Sequence, residues 1–218
     1  TCFSIAMLGL MITMPLQLLI GDTVGLDVHR YQPMKTAAME GVWDTERGAS
    51  LLLFAIPMQS EERNYYEIKI PYLASLLNTH ELNGELVGLK TVPPEDRPYV
   101  FIVFWTFRIM VGSGLLILGI AAMGLLLRLK KRLYDTPWFL TACLYLSPIG
   151  FVSIITGWIT AEVGRQPWIV YGALRTADAD SPISVWHVLA SFSLLVIVYG
   201  VIFGYFYFKY LFETIRKG

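Results

Sequence analysis

Four long apolar runs, parted by polar stretches of unequal length, organise the 218-residue chain: approximately 1–20, 99–127, 137–160 and 184–212. A helix needs about 20 mostly apolar residues to cross roughly 30 Å of hydrocarbon, and each run meets that length. The pattern therefore predicts an all-α fold, an integral membrane helical bundle of four transmembrane helices, with a long outer loop (21–98) between the first and second. A short basic loop (128–136), a second outer loop (161–183) and a tail (213–218) complete the layout. Thr1 already lies in apolar sequence, with no basic n-region and no small-residue cleavage site. The first run thus reads as a span rather than a signal peptide, and the chain as the C-terminal part of something longer.

Charge orients this layout. The stretch "RLKKRLYD" carries Arg128, Lys130, Lys131 and Arg132, and the positive-inside rule places it in the cytoplasm, as it does Lys209, Arg216 and Lys217 near the end. Loops 21–98 and 161–183 then share the outer face. With 55% hydrophobic and 16% charged residues the chain is too apolar for an ordinary soluble domain. Its 17 basic and 17 acidic residues leave no basic excess for nucleic acid. Cys2 and Cys143 lie in apolar runs without metal-ligand spacing.

Three stretches place polar groups where they are expensive. In "GWITAEVGRQPW", residues 157–168, Trp158 and Glu162 are four apart and stack on one face if the helix continues past the span, and Pro167 ends the run soon after. A carboxylate at the end of a span serves as a proton relay, as an ion-pair partner for Arg165, or as an iron ligand; an interfacial Glu–Arg pair beside a belt tryptophan is the plain alternative. In "FWTFRIMVGSG", residues 104–114, Arg108 is too deep for a terminal anchor and needs to snorkel or to find a negative partner, a carboxylate or a cofactor propionate. Met110 carries a thioether able to ligate haem iron and shares its face with Thr106, Phe107, Ser113 and Gly114, although methionine among small residues equally serves helix packing. Arg108 lies about 200° round the helix from it. In "YQPMKTAAMEGVWDTERG", residues 31–48, Pro33 and the Met/Ala pattern predict a short amphipathic helix at the membrane surface carrying Lys35 and Glu40. A carboxylate and a lysine suit a substrate that gives up protons with its electrons, and a merely solvated charged face is the commoner reading of such a run. The segments "IPYLASLLNTHELNGELVGL" and "TVPPEDRP" read as a loop-rich stretch packed on the outer surface.

Together these stretches resemble subunit I of the cytochrome bd-type quinol oxidases. "GWITAEVGRQPW" is similar to that family's G-W-x-x-x-E-x-G-R-Q-P-W signature, "FRIMVG" to its methionine-bearing helix and "KTAAME" to its quinol-loop motif, in the right order over most of the chain. The short connection ending in "PPEDRPYVFIVFWTFRIMVG" resembles the short-loop, cyanide-insensitive branch. The resemblance implies a multi-pass protein of the bacterial plasma (inner) membrane that oxidises quinol at the outer face and reduces oxygen to water, forming a proton gradient without a dedicated pump. It implies Glu162 as an axial ligand of a high-spin haem, Trp158 packed between cofactors and Arg165 against haem propionates. Met110 would ligate a low-spin haem b steadied by Arg108, and Lys35 and Glu40 would bind quinol. The implied cofactors are low-spin haem b, high-spin haem b, and haem d or a second high-spin haem b; the implied partner is a second membrane subunit.

The family also ligates haem through histidines of earlier helices. Only His29, His80 and His187 occur here, the first two expected in the long loop and the third opening the last span, and none matches a family haem histidine. The N-terminal helices carrying those ligands are accordingly expected upstream of Thr1. Two other classes compete: a non-catalytic haem- or quinone-binding membrane subunit, and a transporter fragment in which Arg108 and Glu162 pair across helices. The two halves of the chain show no repeat of the kind a transporter requires.

Overall fold

The computed structural model describes residues 2–179 and 182–217 and forms two compact units divided after Asp178. The first unit is built on three long helical elements. Helix α1 (Cys2–Tyr31) continues past Ile20, because Asp22, Asp27 and His29 do not break the helical run. Short α2 (Pro33–Glu40) follows at once. Helix α4 (Val100–Leu129) is the central element, packing along α1 on one side and most extensively along α6 on another. The third apolar run is divided into α5 (Pro137–Tyr145) and α6 (Ile149–Arg165). Pro148 causes the break: it has no N–H to donate back into a helix, so α5 ends in a tight turn and α6 starts immediately behind it. Helix α6 then runs beyond residue 160 to Arg165, which brings Glu162 and Arg165 onto the same helix as Trp158.

The connection between α2 and α4 is more structured than its loop-like sequence suggests. Strands β1 (Glu46–Arg47) and β4 (Glu85–Leu86) pair antiparallel, and between them β2 (Leu51–Met58) and β3 (Arg63–Ile70) form a hairpin paired from Leu51↔Ile70 to Met58↔Arg63, with a register shift on either side of Phe54. Helix α3 (Leu73–Thr79) closes the segment. A further two-stranded sheet, β5 (Trp168–Val170) with β6 (Leu174–Arg175), follows α6. The membrane frame remains all-α.

Among the described residues, four helical stretches are long and apolar enough to cross a membrane: Cys2–Tyr31, Pro94–Leu129, Pro137–Arg165 and Val185–Lys217. The protein is therefore a multi-pass membrane protein. Two apolar clusters sit towards opposite ends of α4. At the end near the basic loop, Met7, Leu133 and Phe139 pack together and Arg128 donates to the Ser4 carbonyl at 2.8 Å. At the other, Met34, Ala37, Ala38 and Met39 of α2 pack on Val100 and Val103 of α4 with Trp43 and Leu89. The second unit consists of α7 (Val185–Leu195), a π-helical stretch (Val196–Phe203) and α8 (Gly204–Lys217). It is apolar over its first two-thirds, with the charged residues gathered in α8.

Two close approaches depend on glycine. A Cβ at Gly88 would lie 2.4 Å from the Asp44 carbonyl carbon, and one at Gly157 would lie 2.8 Å from Met110 Sδ. The Gly88 neighbour is backbone and has no rotamer to yield, whereas Met110 is flexible. Gly88→Ala is expected to destabilise the first unit by about 1–3 kcal/mol, and Gly157→Ala by less; Tm values in detergent check the order, and equal losses would place the constraint elsewhere.

Candidate functional site

Helix α2 is the element around which the unusual residues gather. Pro33 occupies its first turn, where a missing N–H is harmless, and Gly41 ends it in a left-handed conformation with φ 71°, directly after Glu40. The space beside Gly41 is filled by the Phe104 ring and Leu52, so a side chain would be both strained and crowded there. Ala37 and Ala38 let α2 approach α4 closely, and Met34, Thr36 and Met39 are buried with them. Expected at the membrane surface as an amphipathic helix, α2 is instead enclosed by α1, α4 and α6.

Glu40 is consequently interior, with a side chain only 3% exposed. Asn78 Nδ2 of α3 donates to Glu40 Oε1 at 3.2 Å. Glu40 Oε2 lies 3.8 Å from Arg108 Nη2 and neither atom makes a hydrogen bond. Burial pushes the Glu40 carboxyl above the usual carboxylate range, with Arg108 and the Asn78 bond opposing. Arg108 is held from three sides: Nε donates to the Leu52 carbonyl at 2.7 Å, and Nη1 to the carbonyls of Met39 at 2.5 Å and Phe104 at 3.2 Å. Its guanidinium carbon also lies 3.4 Å from the Phe104 ring centre. Of the partners that the sequence allowed Arg108, the structure supplies the carboxylate.

The β2–β3 hairpin fixes this arrangement. Leu52 of β2 offers the carbonyl that Arg108 uses, and Asn64 of β3 donates to the Gly41 carbonyl at 2.8 Å while accepting from Trp43 Nε1 at 2.9 Å. A cavity of about 300 Å³ opens beside the pair, with Glu40, Asp44, Asn64, Glu67 and Lys90 in its wall. Asn78, Asn64 and the Leu52 carbonyl are the site members that sequence reasoning missed. A signal was present in the aromatic and β-branched content of "NYYEIKI", but no motif marks an asparagine that bonds a backbone turn.

Lys35 leaves α2 on a different side. Five residues separate it from Glu40, about 140° at ~100° per residue. Lys35 Nζ donates to the Ala161 carbonyl in the last turns of α6 at 3.1 Å, and its stem lies over Gly164. Burial draws its ammonium below the usual lysine range; Arg165 adds to the effect and Glu162 opposes it. Glu40 and Lys35 therefore touch different helices, α4 and α6, with α2 between them.

On α6, Arg165 Nη2 donates to Glu162 Oε2 at 2.5 Å, and both side chains are roughly half-exposed. Trp158, one turn earlier, is 67% exposed. Behind this open face Ser153, Gly157, Thr160 and Gly164 form a small-residue stripe against α4. Thr160 Oγ1 donates to Thr106 Oγ1 at 2.8 Å, and the Met110 sulfur rests over Gly157. Gly114, on the Met110 face, has nothing within 4 Å of the position a Cβ would take. A half-buried thioether near an open glycine, and an exposed carboxylate one turn from an exposed indole, are groups able to hold a flat iron macrocycle. Among the described residues no group of three or more His, Cys, Asp and Glu gathers as a metal cluster. His29 lies in the last turn of α1 rather than in the long loop, because α1 runs on to Tyr31; His80 Nε2 is 3.2 Å from Asp22 Oδ1, and His187 opens α7.

Comparison with known proteins shows the family of the chain. Residues 1–218, the whole chain, match the family described as cytochrome bd terminal oxidase subunit I. The chain is 35% identical to the cytochrome bd ubiquinol oxidase subunit 1 of Bacillus subtilis (strain 168), over 91% of its own length and 46% of that protein. It is 29% identical to the cytochrome bd-II ubiquinol oxidase subunit 1 of Escherichia coli (strain K12), over 82% of this chain and 47% of that one. The bd oxidase structure from Geobacillus thermodenitrificans superposes with a TM-score of 0.75 and 31% identity, covering 95% of this chain and 47% of that chain. The chain belongs to the cytochrome bd terminal oxidase subunit I family, a group of multi-pass proteins of the bacterial inner membrane. It spans about half the length of the relatives it matches.

The Glu40–Arg108 pair generates a stability prediction. Arg108→Met leaves the Glu40 carboxylate buried without its counter-charge and is expected to cost about 3–5 kcal/mol. Glu40→Gln keeps the shape and costs less, and adding it to Arg108→Met should recover part of the loss; additive effects in the double-mutant cycle would mean the two are uncoupled. Because Glu40 is shifted upward, its folded form holds the proton more tightly than the unfolded chain. Its contribution to stability is therefore full below the ordinary glutamate pKa and is lost as pH rises through the raised value. Glu40→Gln should flatten that slope in Tm against pH.

Proposed function

We propose that this chain is the C-terminal part of the haem-bearing subunit of a terminal respiratory oxidase of the short-loop branch. It oxidises quinol at the outer membrane face and serves the reduction of oxygen to water. The observation that supports this reading is that α2 is in contact with both other motif stretches. Glu40 on one side of α2 meets Arg108 two residues from Met110, and Lys35 on another side meets the turn of α6 that carries Glu162.

A quinol that loses two electrons must also lose two protons. A carboxyl raised by burial is better matched to accepting one of them near neutral pH than an ordinary glutamate, which is the case for Glu40 as the proton acceptor. Arg108 steadies the carboxylate before the proton arrives and adds positive potential near Met110. Lys35 spends one N–H on Ala161 and keeps others for a quinol oxygen. Met110 would hold a low-spin haem b. Glu162, with Trp158 packed against the macrocycle and Arg165 on its propionates, would serve the high-spin pair of haem b and either haem d or a second haem b. Bound there, these groups supply one-electron transfer and oxygen chemistry.

The basic loop at Arg128–Arg132 faces the cytoplasm in this scheme and α2 faces out. Protons released beside Glu40 then leave on the outer side while oxygen reduction consumes inner ones, so the gradient needs no pump. Helices carrying the histidine ligands and a second membrane subunit complete the enzyme.

In the native complex, Glu162→Ala is expected to remove a high-spin haem signal from the reduced-minus-oxidised spectrum and keep the low-spin b signal. An unchanged spectrum returns Glu162 and Arg165 to an interfacial ion pair and sinks the oxidase reading of this site. Glu40→Gln should lower quinol-dependent oxygen uptake roughly 100-fold, in the range of a lost general base, with haem content intact. Loss of haem in parallel with activity would make Glu40 structural instead.

A further inference from the structure

Lys35 has a built seat on α6. Its stem runs over Gly164, where even a methyl group would come within 3.0 Å of Lys35 Cγ and 3.3 Å of Cε. Its ammonium ends 3.1 Å from the Ala161 carbonyl, one residue before Glu162 and in the last turns of the helix, where carbonyl dipoles favour a cation. The seat and the Glu162–Arg165 pair thus occupy the same turns of α6. A lysine ammonium carries three N–H donors, and the structure uses one of them on α6.

We infer that Lys35 is a positioning residue that couples the quinol loop to the Glu162 turn, one N–H bonding the Ala161 carbonyl while another bonds an oxygen of bound quinol. This rests on the quinol reading above. Occupancy at α2 then changes how firmly Lys35 is held, and with it the order of the α6 turns that present Glu162. The coupling is reciprocal: whatever orders the Glu162 turn also favours quinol at Lys35.

The test uses the native complex and three variants. Lys35→Met removes the donors and keeps the stem, Lys35→Arg keeps donors, and Gly164→Ala presses on the stem without touching the charge. Amide exchange is followed in the peptide 157–168 with and without a non-oxidisable quinol analogue, together with the carbon monoxide difference spectrum and the quinol KM. The expected result is that the analogue slows exchange in the parent and not in Lys35→Met. That variant also shifts the carbon monoxide spectrum and raises KM several-fold, Lys35→Arg restores both, and Gly164→Ala shifts the spectrum in the same direction. A raised KM with exchange and spectrum unchanged overturns the coupling and leaves Lys35 as a quinol ligand alone. Altered exchange and spectrum with an unchanged KM also overturns it, reducing Lys35 to an anchor of α6. If neither changes, both the coupling and the quinol role of Lys35 fail.

Discussion

A charge pair buried at the outer end of the central span governs the first unit. Glu40 and Arg108 are each costly to remove from water; backbone carbonyls, Asn78 and the Phe104 ring engage their other atoms, and the two atoms that face each other across 3.8 Å have only that mutual attraction. Much of the extramembrane architecture bears on this pair. The β2–β3 hairpin delivers the Leu52 carbonyl to Arg108 and pins the turn after Glu40 through Asn64, and α3 delivers Asn78. The loop folds on apolar clusters, Val42, Ala49, Ala74 and Leu86 in one and Leu52 and Ala55 with Phe104 of α4 in another, and so encloses the pair.

The fold's frame was legible in the sequence because hydrocarbon thickness and helical rise leave few solutions. Four apolar runs became four helical stretches fit to span a membrane, and the mismatches are local. Helix α1 overran its expected end because a hydropathy boundary marks where lipid contact can stop, not where backbone hydrogen bonding stops; charged Asp22 and Asp27 are compatible with helix. Pro148 broke the third run inside an apolar stretch, where hydropathy is blind to a missing N–H.

At the site, legibility divided by the kind of contact. The four-residue spacing put Glu162 on the Trp158 face only if the helix ran past residue 160, where the outer loop was expected to begin; it does run on and carries Arg165 as well. The depth of Arg108 required it to snorkel or to find a partner. Which partner it would be depended on tertiary contact between Met39, Leu52 and α4, residues far apart in sequence. The different destinations of Lys35 and Glu40 were implicit in their five-residue spacing, but only the packing of α2 between α4 and α6 gives each side its own neighbour. For Met110 the structure supplies the packing partner that small residues had suggested: its sulfur fills the groove over Gly157.

The left-handed cap at Gly41 makes α2 a ruler with a fixed stop. Because the helix must end directly after Glu40, one residue inserted or removed between Lys35 and Glu40 would swing one of them about 100° round the axis, away from its partner helix. The turn between β2 and β3 is pinned as well, Gln59 Oε1 accepting from the Val100 N–H at 3.3 Å and Glu62 pairing with Arg97 at 2.6 Å. The six-residue span from Lys35 to Glu40 is held by geometry as firmly as by the chemistry of its ends.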